Sequence, residues 1–303
     1  MHVLTVVLAL CAALSNAAAS VLQRRAAAAD AADAAPGHPV RWLLRLVRDP
    51  YWVGGAALLA VTTVLQAAAL AVGSLALVQP LMASELLFTL VVGSAVFHHR
   101  PDRTTWLAFG ALAVGLALFL GAAAPSEGQD TAVPGRWATA GPAVLCAVAA
   151  LAAAGRLARG AARAALFGSA SAVAFGGTAA LLKEVTGRFP QGVGAVLTQW
   201  PPYATAVVGV LGFLLLQSAL RAGTLAASQP ALTLGDALTS VALGWALFGE
   251  EIALGVRVLP ELLGVALIGL GSVGLARAPS VHGTWDTAAA LDGPGGGPGA
   301  GRA

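Results

Sequence analysis

The sequence predicts an all-α polytopic membrane protein of about nine transmembrane helices arranged in two inverted repeats. Three observations predict it. Of 303 residues, 58% are hydrophobic and only 10% are charged, with a mean hydropathy of +0.80, too few charges to solvate a soluble domain of this size. Apolar runs of about 20 residues, the length a bilayer crossing needs, recur from end to end. A motif is also stated twice: GSLALVQP at 73–80 returns as GTLAASQP at 223–230, with Gly, Leu, Ala, Gln and Pro in register.

The predicted spans run over 3–22, 52–72, 75–97, 105–122, 137–154, 164–182, 203–220, 225–248 and 259–276. The first carries small residues in an A-x-A pattern at Ala17 and Ala19, but no basic region precedes it, so an uncleaved helix is expected rather than a signal peptide. Between it and the second span stand Arg24, Arg25, Arg41, Arg45 and Arg48. Within 36–50, Val40, Leu43, Leu44 and Val47 share one helical face and the arginines another, which reads as an amphipathic helix on an anionic membrane surface.

The positive-inside rule places that loop in the cytoplasm and the N-terminus outside. Following the alternation puts thirteen arginines on the cytoplasmic side and only Arg136, Arg188 and Arg257 on the other. The acidic positions Glu127, Asp130, Glu250 and Glu251 then fall outside. The C-terminus is cytoplasmic, and 279–303, with its DGPGGGPGAG run, has the composition of a disordered tail. Residues 1–136 form a first membrane half of four helices plus the arginine-rich segment, and 137–278 a second half of five. The two copies of the repeated motif enter the bilayer in opposite senses, the arrangement with which secondary transporters build a midplane site.

Small residues mark where helices should touch. Ala164, Gly168, Ala172, Gly176 and Ala180 recur every four residues on one span, and Gly264, Gly269, Gly271 and Gly274 crowd another. Cys11 and Cys146 lie within apolar spans without a CxxC pattern, and read as small buried residues.

The residues able to carry chemistry are few. Glu85 and Asp236 lie ten and eleven residues into their spans, about 15–17 Å deep at a 1.5 Å rise. An intramembrane carboxylate costs about 2.5–3.5 kcal/mol to insert, so each is expected to face a polar cavity or a partner, as a substrate or proton-coupling group or as a structural hydrogen-bonder. Gln79 and Gln229, each next to a proline, offer donors and acceptors. Pro80 and Pro230 are candidate helix breaks that would free the carbonyls of Ala76 and Ala226, unless each simply marks a first turn. Lys183, the one lysine of the chain, stands with Glu184 at the end of the sixth span, where it would snorkel to the interface or serve as counter-ion.

These residues, read with LQRR after the first helix, DPYWVGG opening the second, Gln66, LALVQPL and GALAVGLALFLG, resemble the drug/metabolite transporter superfamily. The likeness is greatest to the branch related to NIPA-type magnesium transporters. The segment SQPALTLGDALTSVALGWALFGEEI is similar to the last helices of EamA-type members, with Gly249 and Glu250 at their recurring Gly-Glu. The resemblance implies two halves of five helices; here the second helix is replaced by the arginine-rich stretch, leaving nine. It also implies alternating-access transport of a small solute or cation in a bacterial plasma membrane, with protons as the coupling ion and a homodimer left open. NIPA-type proteins carry an acidic residue where this chain has Thr62 and Thr63, so magnesium is the alternative rather than the first reading.

No cofactor is expected. GxxxxGK, GxGxxG, GxSxG and HExxH are absent, which argues against an enzyme. His98, His99 and Arg100 lack the converging ligands of a metal site. The basic residues are dispersed between spans, so nucleic acid is not an expected partner.

Overall fold

In the computed structural model, residues 2–32, 49–97, 101–123, 128–222, 225–250 and 258–277 are described. Every regular element among them is helical: α1 (His2–Ala32), α2 (Pro50–Val72), α3 (Leu75–Met82), α4 (Glu85–Phe97), α5 (Arg103–Ala123), α6 (Trp137–Leu157), α7 (Gly160–Gly187), α8 (Val193–Leu197), α9 (Pro201–Ala222), α10 (Leu225–Phe248) and α11 (Val258–Ala276). Among the described residues, eight stretches are long and apolar enough to cross a membrane, with α3 and α4 counted as one; α11 contributes a shorter apolar stretch, Leu259–Leu275. The chain is thus a multi-span helical membrane protein, and a ninth crossing rests on α11. Most of 36–50, the turn at 98–100 and the tail 279–303 lie outside the described residues.

Several boundaries differ from expectation. α1 runs ten residues past its predicted end, through Arg24 and Arg25, because the alanine-rich run after them has the strongest helix propensity available. α2 starts where a cap allows: Asp49 accepts hydrogen bonds from the Tyr51 and Trp52 amides, and Pro50 occupies the first position, where its missing N–H costs nothing. Asp102 caps α5 similarly through the Thr105 amide. The Thr104 hydroxyl, then the Thr105 hydroxyl and amide, hold its carboxyl below the usual carboxylate value.

α1 packs along α2 and against α3 and α4, while α7 is surrounded by α6, α9 and α10. The five-membered small-residue ridge of α7 is buried, and it is the surface on which α10 lies. A Cβ on Gly168 would stand 2.8 Å from the Ser228 carbonyl oxygen, and one on Gly176 2.9 Å from the Thr239 methyl. α5 and α11 also pack closely. There a Cβ on Gly115 would meet the Ile268 amide at 2.7 Å, and one on Gly271 the Leu112 amide at 2.5 Å, so backbone touches backbone. Leu112, Leu116, Phe119, Ile268 and Leu275 form the core of this contact.

Gly115→Val is therefore expected to separate α5 from α11 and to destabilise the protein by roughly 1–3 kcal/mol, the usual range for overpacking. Gly121→Val on the same helix, with nothing within 4 Å, should leave the melting temperature in detergent unchanged. Equal melting of the two variants would contradict the contact.

Large apolar side chains such as Val64, Leu107, Val207 and Trp245 are exposed around the bundle, as lipid-facing positions should be. Cys11 and Cys146 belong to this surface. They are exposed rather than buried, because the apolar face of a membrane helix points outward to lipid as readily as inward.

Candidate functional site

Two polar clusters lie at opposite ends of the eight-residue helix α3. Its N-terminus follows the break at Gly73 and Ser74, and its first amides have no partner within the helix. Glu250 supplies one: its Oε1 accepts from the Leu75 amide at 2.7 Å and its Oε2 from the Ala76 amide at 2.9 Å. Oε1 also accepts from Lys183 Nζ at 2.5 Å, and Nζ stands 4.8 Å from the Phe248 ring centroid. Glu250 is 0% and Lys183 3% exposed. The carboxylate reaches this position because Gly249 adopts a left-handed φ of +66°, which ends α10 and folds the Glu250 amide back to the Gly244 carbonyl.

The same end of α10 is sealed by the loop after α5. The Gln129 and Val133 amides donate to the Phe248 and Leu247 carbonyls, and Arg136 Nη1 donates to that of Ala246. Glu184, beside Lys183, is committed elsewhere: its Oε2 accepts from the Ala132 amide and the Trp137 indole, and its Oε1 pairs with Arg188 at 2.5 Å. Lys183 thus does not snorkel. Buried on α7, it faces a carboxylate that sequence reasoning had placed in an exterior loop.

At the other end, α3 stops at Met82, and Ala83 and Ser84 separate it from α4, whose first turn carries Glu85. The Asn16 amide of α1 donates to Glu85 Oε2. Asp236 comes from the middle of α10, and its buried Oδ1 has no hydrogen-bond partner. Gln79 is 4% exposed with its Nε2 unpartnered, and the Ser84 hydroxyl is likewise buried without a partner. Next to this group Pro80, Ala83, Leu234, Ala237, Val265 and Ile268 line an apolar cleft among α3, α5, α10 and α11.

Of the residues expected at the site, Glu85 and Asp236 stand next to Ala83 and Ala237, which line the same cleft, and Gln79 lies on α3 just before the junction. Gln229 is half-buried in α10, and Lys183 belongs to the other cluster. The two prolines behave differently. Both stand sixth in their helices, past the first turn, yet α3 ends two residues beyond Pro80 whereas α10 continues through Pro230 to Phe248. Pro230 is therefore not a break: α10 is buttressed along its length by the small-residue ridge of α7, and packing outweighs one missing hydrogen bond. Thr62 hydrogen-bonds the Leu58 carbonyl at 2.9 Å, the ordinary use of a helical threonine.

Asn16, Ser84 and Glu250 were not anticipated at the site. Asn16 is the single asparagine of the sequence and sits inside the first apolar span, a signal that was present. Glu250 was visible only as part of a Gly-Glu pair.

The chain is 28% identical over 272 residues to an uncharacterized protein of Corynebacterium glutamicum, a match covering 85% of this chain and 92% of the relative. No family model and no solved structure matches the chain.

Proposed function

We propose that the protein is a secondary transporter of the drug/metabolite transporter type, moving a small solute or cation by alternating access between two inverted halves. The observation that carries this reading is that carboxylates from both copies of the repeated unit, Glu85 after the α3–α4 junction and Asp236 on α10, flank Ala83 and Ala237, which line one cleft between helices. Intramembrane carboxylates are costly and belong at ion or substrate paths, and irregular backbone at membrane depth belongs where it lines a cavity.

Helix order and packing support the duplication. A shift of 150 carries α2 onto α9, α3 with α4 onto α10, α5 close to α11, and α1 largely onto α7. The packing runs in parallel: α1 contacts α2, α3 and α4, as α7 contacts α9 and α10. In this register α6 is the helix without a counterpart. Nine crossings then put the N-terminus outside and the C-terminus in the cytoplasm of a bacterial plasma membrane.

Reconstituted protein should move a labelled solute or cation across proteoliposomes in a saturable manner. Absence of flux for amines, metabolites and divalent cations alike would favour a structural membrane protein. A second reading, magnesium transport, draws on the oxygen donors of Glu85, Asp236, Gln79 and Asn16, which suit a hard, partly hydrated cation. Expression in a magnesium-uptake-deficient host on limiting Mg²⁺ tests it. No rescue is expected, because Thr62 stands where the magnesium branch carries a carboxylate.

A further inference from the structure

We propose that Glu250 is a gate latch: from the end of α10 it clamps the N-terminus of α3, and its release lets α3 swing about the Ala83–Ser84 break. The proposal rests on the transport reading above.

The geometry has three parts. First, the contact joins the halves. The Leu75 and Ala76 amides belong to the first, while Glu250 and Lys183 belong to the second. Second, the contact is exchangeable in kind. α3 gains its N-terminal cap from a side chain 175 residues away rather than from its own Ser74, which makes no capping bond. A helix so capped keeps its fold only while the distant group stays in place, or until water takes over the two amides. Third, α3 is eight residues long, a rod of about 12 Å at a 1.5 Å rise, and it joins α4 through a tight turn in which the Ala83 and Ser84 amides donate to the Pro80 and Leu81 carbonyls. Motion at its latched end reaches the hinge immediately before Glu85, so the state of the latch is mechanically linked to Glu85. Gly244 fits this role: a Cβ there would stand 2.3 Å from Glu250 Oε2, so the absence of a side chain is what lets the carboxylate seat.

Two variants unseat it by different routes. Gly244→Ala keeps every charge and pushes the flexible carboxylate aside by one methyl group. The double variant Lys183→Met with Glu250→Gln leaves no unpaired charge, yet a glutamine has a single acceptor oxygen for two amides. Hydrogen exchange followed by mass spectrometry is measured on the full chain in nanodiscs, without any solute. Residues 75–82 should exchange roughly tenfold faster in both variants, the effect of about 1.4 kcal/mol on a local opening, with protection in α5 and α11 unchanged. Exchange at 75–82 equal to the parent in both would overturn the latch. So would uniform loosening of all helices, which would make the contact a structural tie. Since no solute enters the measurement, its failure leaves the transport reading standing, and that reading fails separately if no flux is found.

Discussion

Glu85→Gln and Asp236→Asn are each expected to abolish flux in proteoliposomes while the protein still inserts and elutes as a single species. Each substitution is isosteric: the amide keeps most of the hydrogen bonding that Asn16 offers Glu85 and removes only the charge and the exchangeable proton. If the two carboxylates form one site, either loss removes half of its charge. Flux should fall to the level of protein-free liposomes, because neither a charge nor an exchangeable proton remains at the substituted position. Stability should hold or rise, because the insertion cost of a charged form disappears. A structural role predicts the reverse, with unchanged flux per folded molecule and reduced expression. Parent-rate transport by both variants at any pH near neutrality would exclude these residues from the site and direct attention to Gln79 and Gln229.

The largest effect on stability is expected at Glu250. Glu250→Ala leaves the Lys183 ammonium buried beside the Phe248 ring without its carboxylate, and leaves the Leu75 and Ala76 amides without their acceptor. Breaking one side of a buried pair costs about 3–5 kcal/mol, a large share of what holds a domain together. The variant should melt far below the parent in detergent, or fail to accumulate. Lys183→Met with Glu250→Gln should recover most of the loss, because no unpaired charge remains. If Glu250→Ala melts like the parent, the ion pair is not the tie that its 2.5 Å contact implies.

Sequence alone determined the solvent of this protein and the order of its helices. Fifty-eight per cent apolar residues and long uncharged runs admit no other class, since backbone in lipid must satisfy its own hydrogen bonds. It also determined which helix faces meet: the four-residue spacing from Ala164 to Ala180 is a property of one helix, readable without its partner. The place of Glu85 and Asp236 midway along their apolar spans was legible for the same reason, as a count of residues along a rod.

What the tertiary structure decided is which polar groups share a site. Lys183 and Glu250 are 67 residues apart, and Glu250 and Leu75 are 175 apart. No local pattern distinguishes a lysine that snorkels to water from one that finds a carboxylate, because both sit at the end of an apolar helix. Glu250 passed for a loop residue until Gly249 turned it inward. Pro80 and Pro230 share a motif yet differ in outcome, because a proline removes one hydrogen bond in either context and only the neighbouring helix determines whether the chain bends there. The position of Glu85 was written in the sequence; its bond to Asn16 came from the packing of α1 against α4.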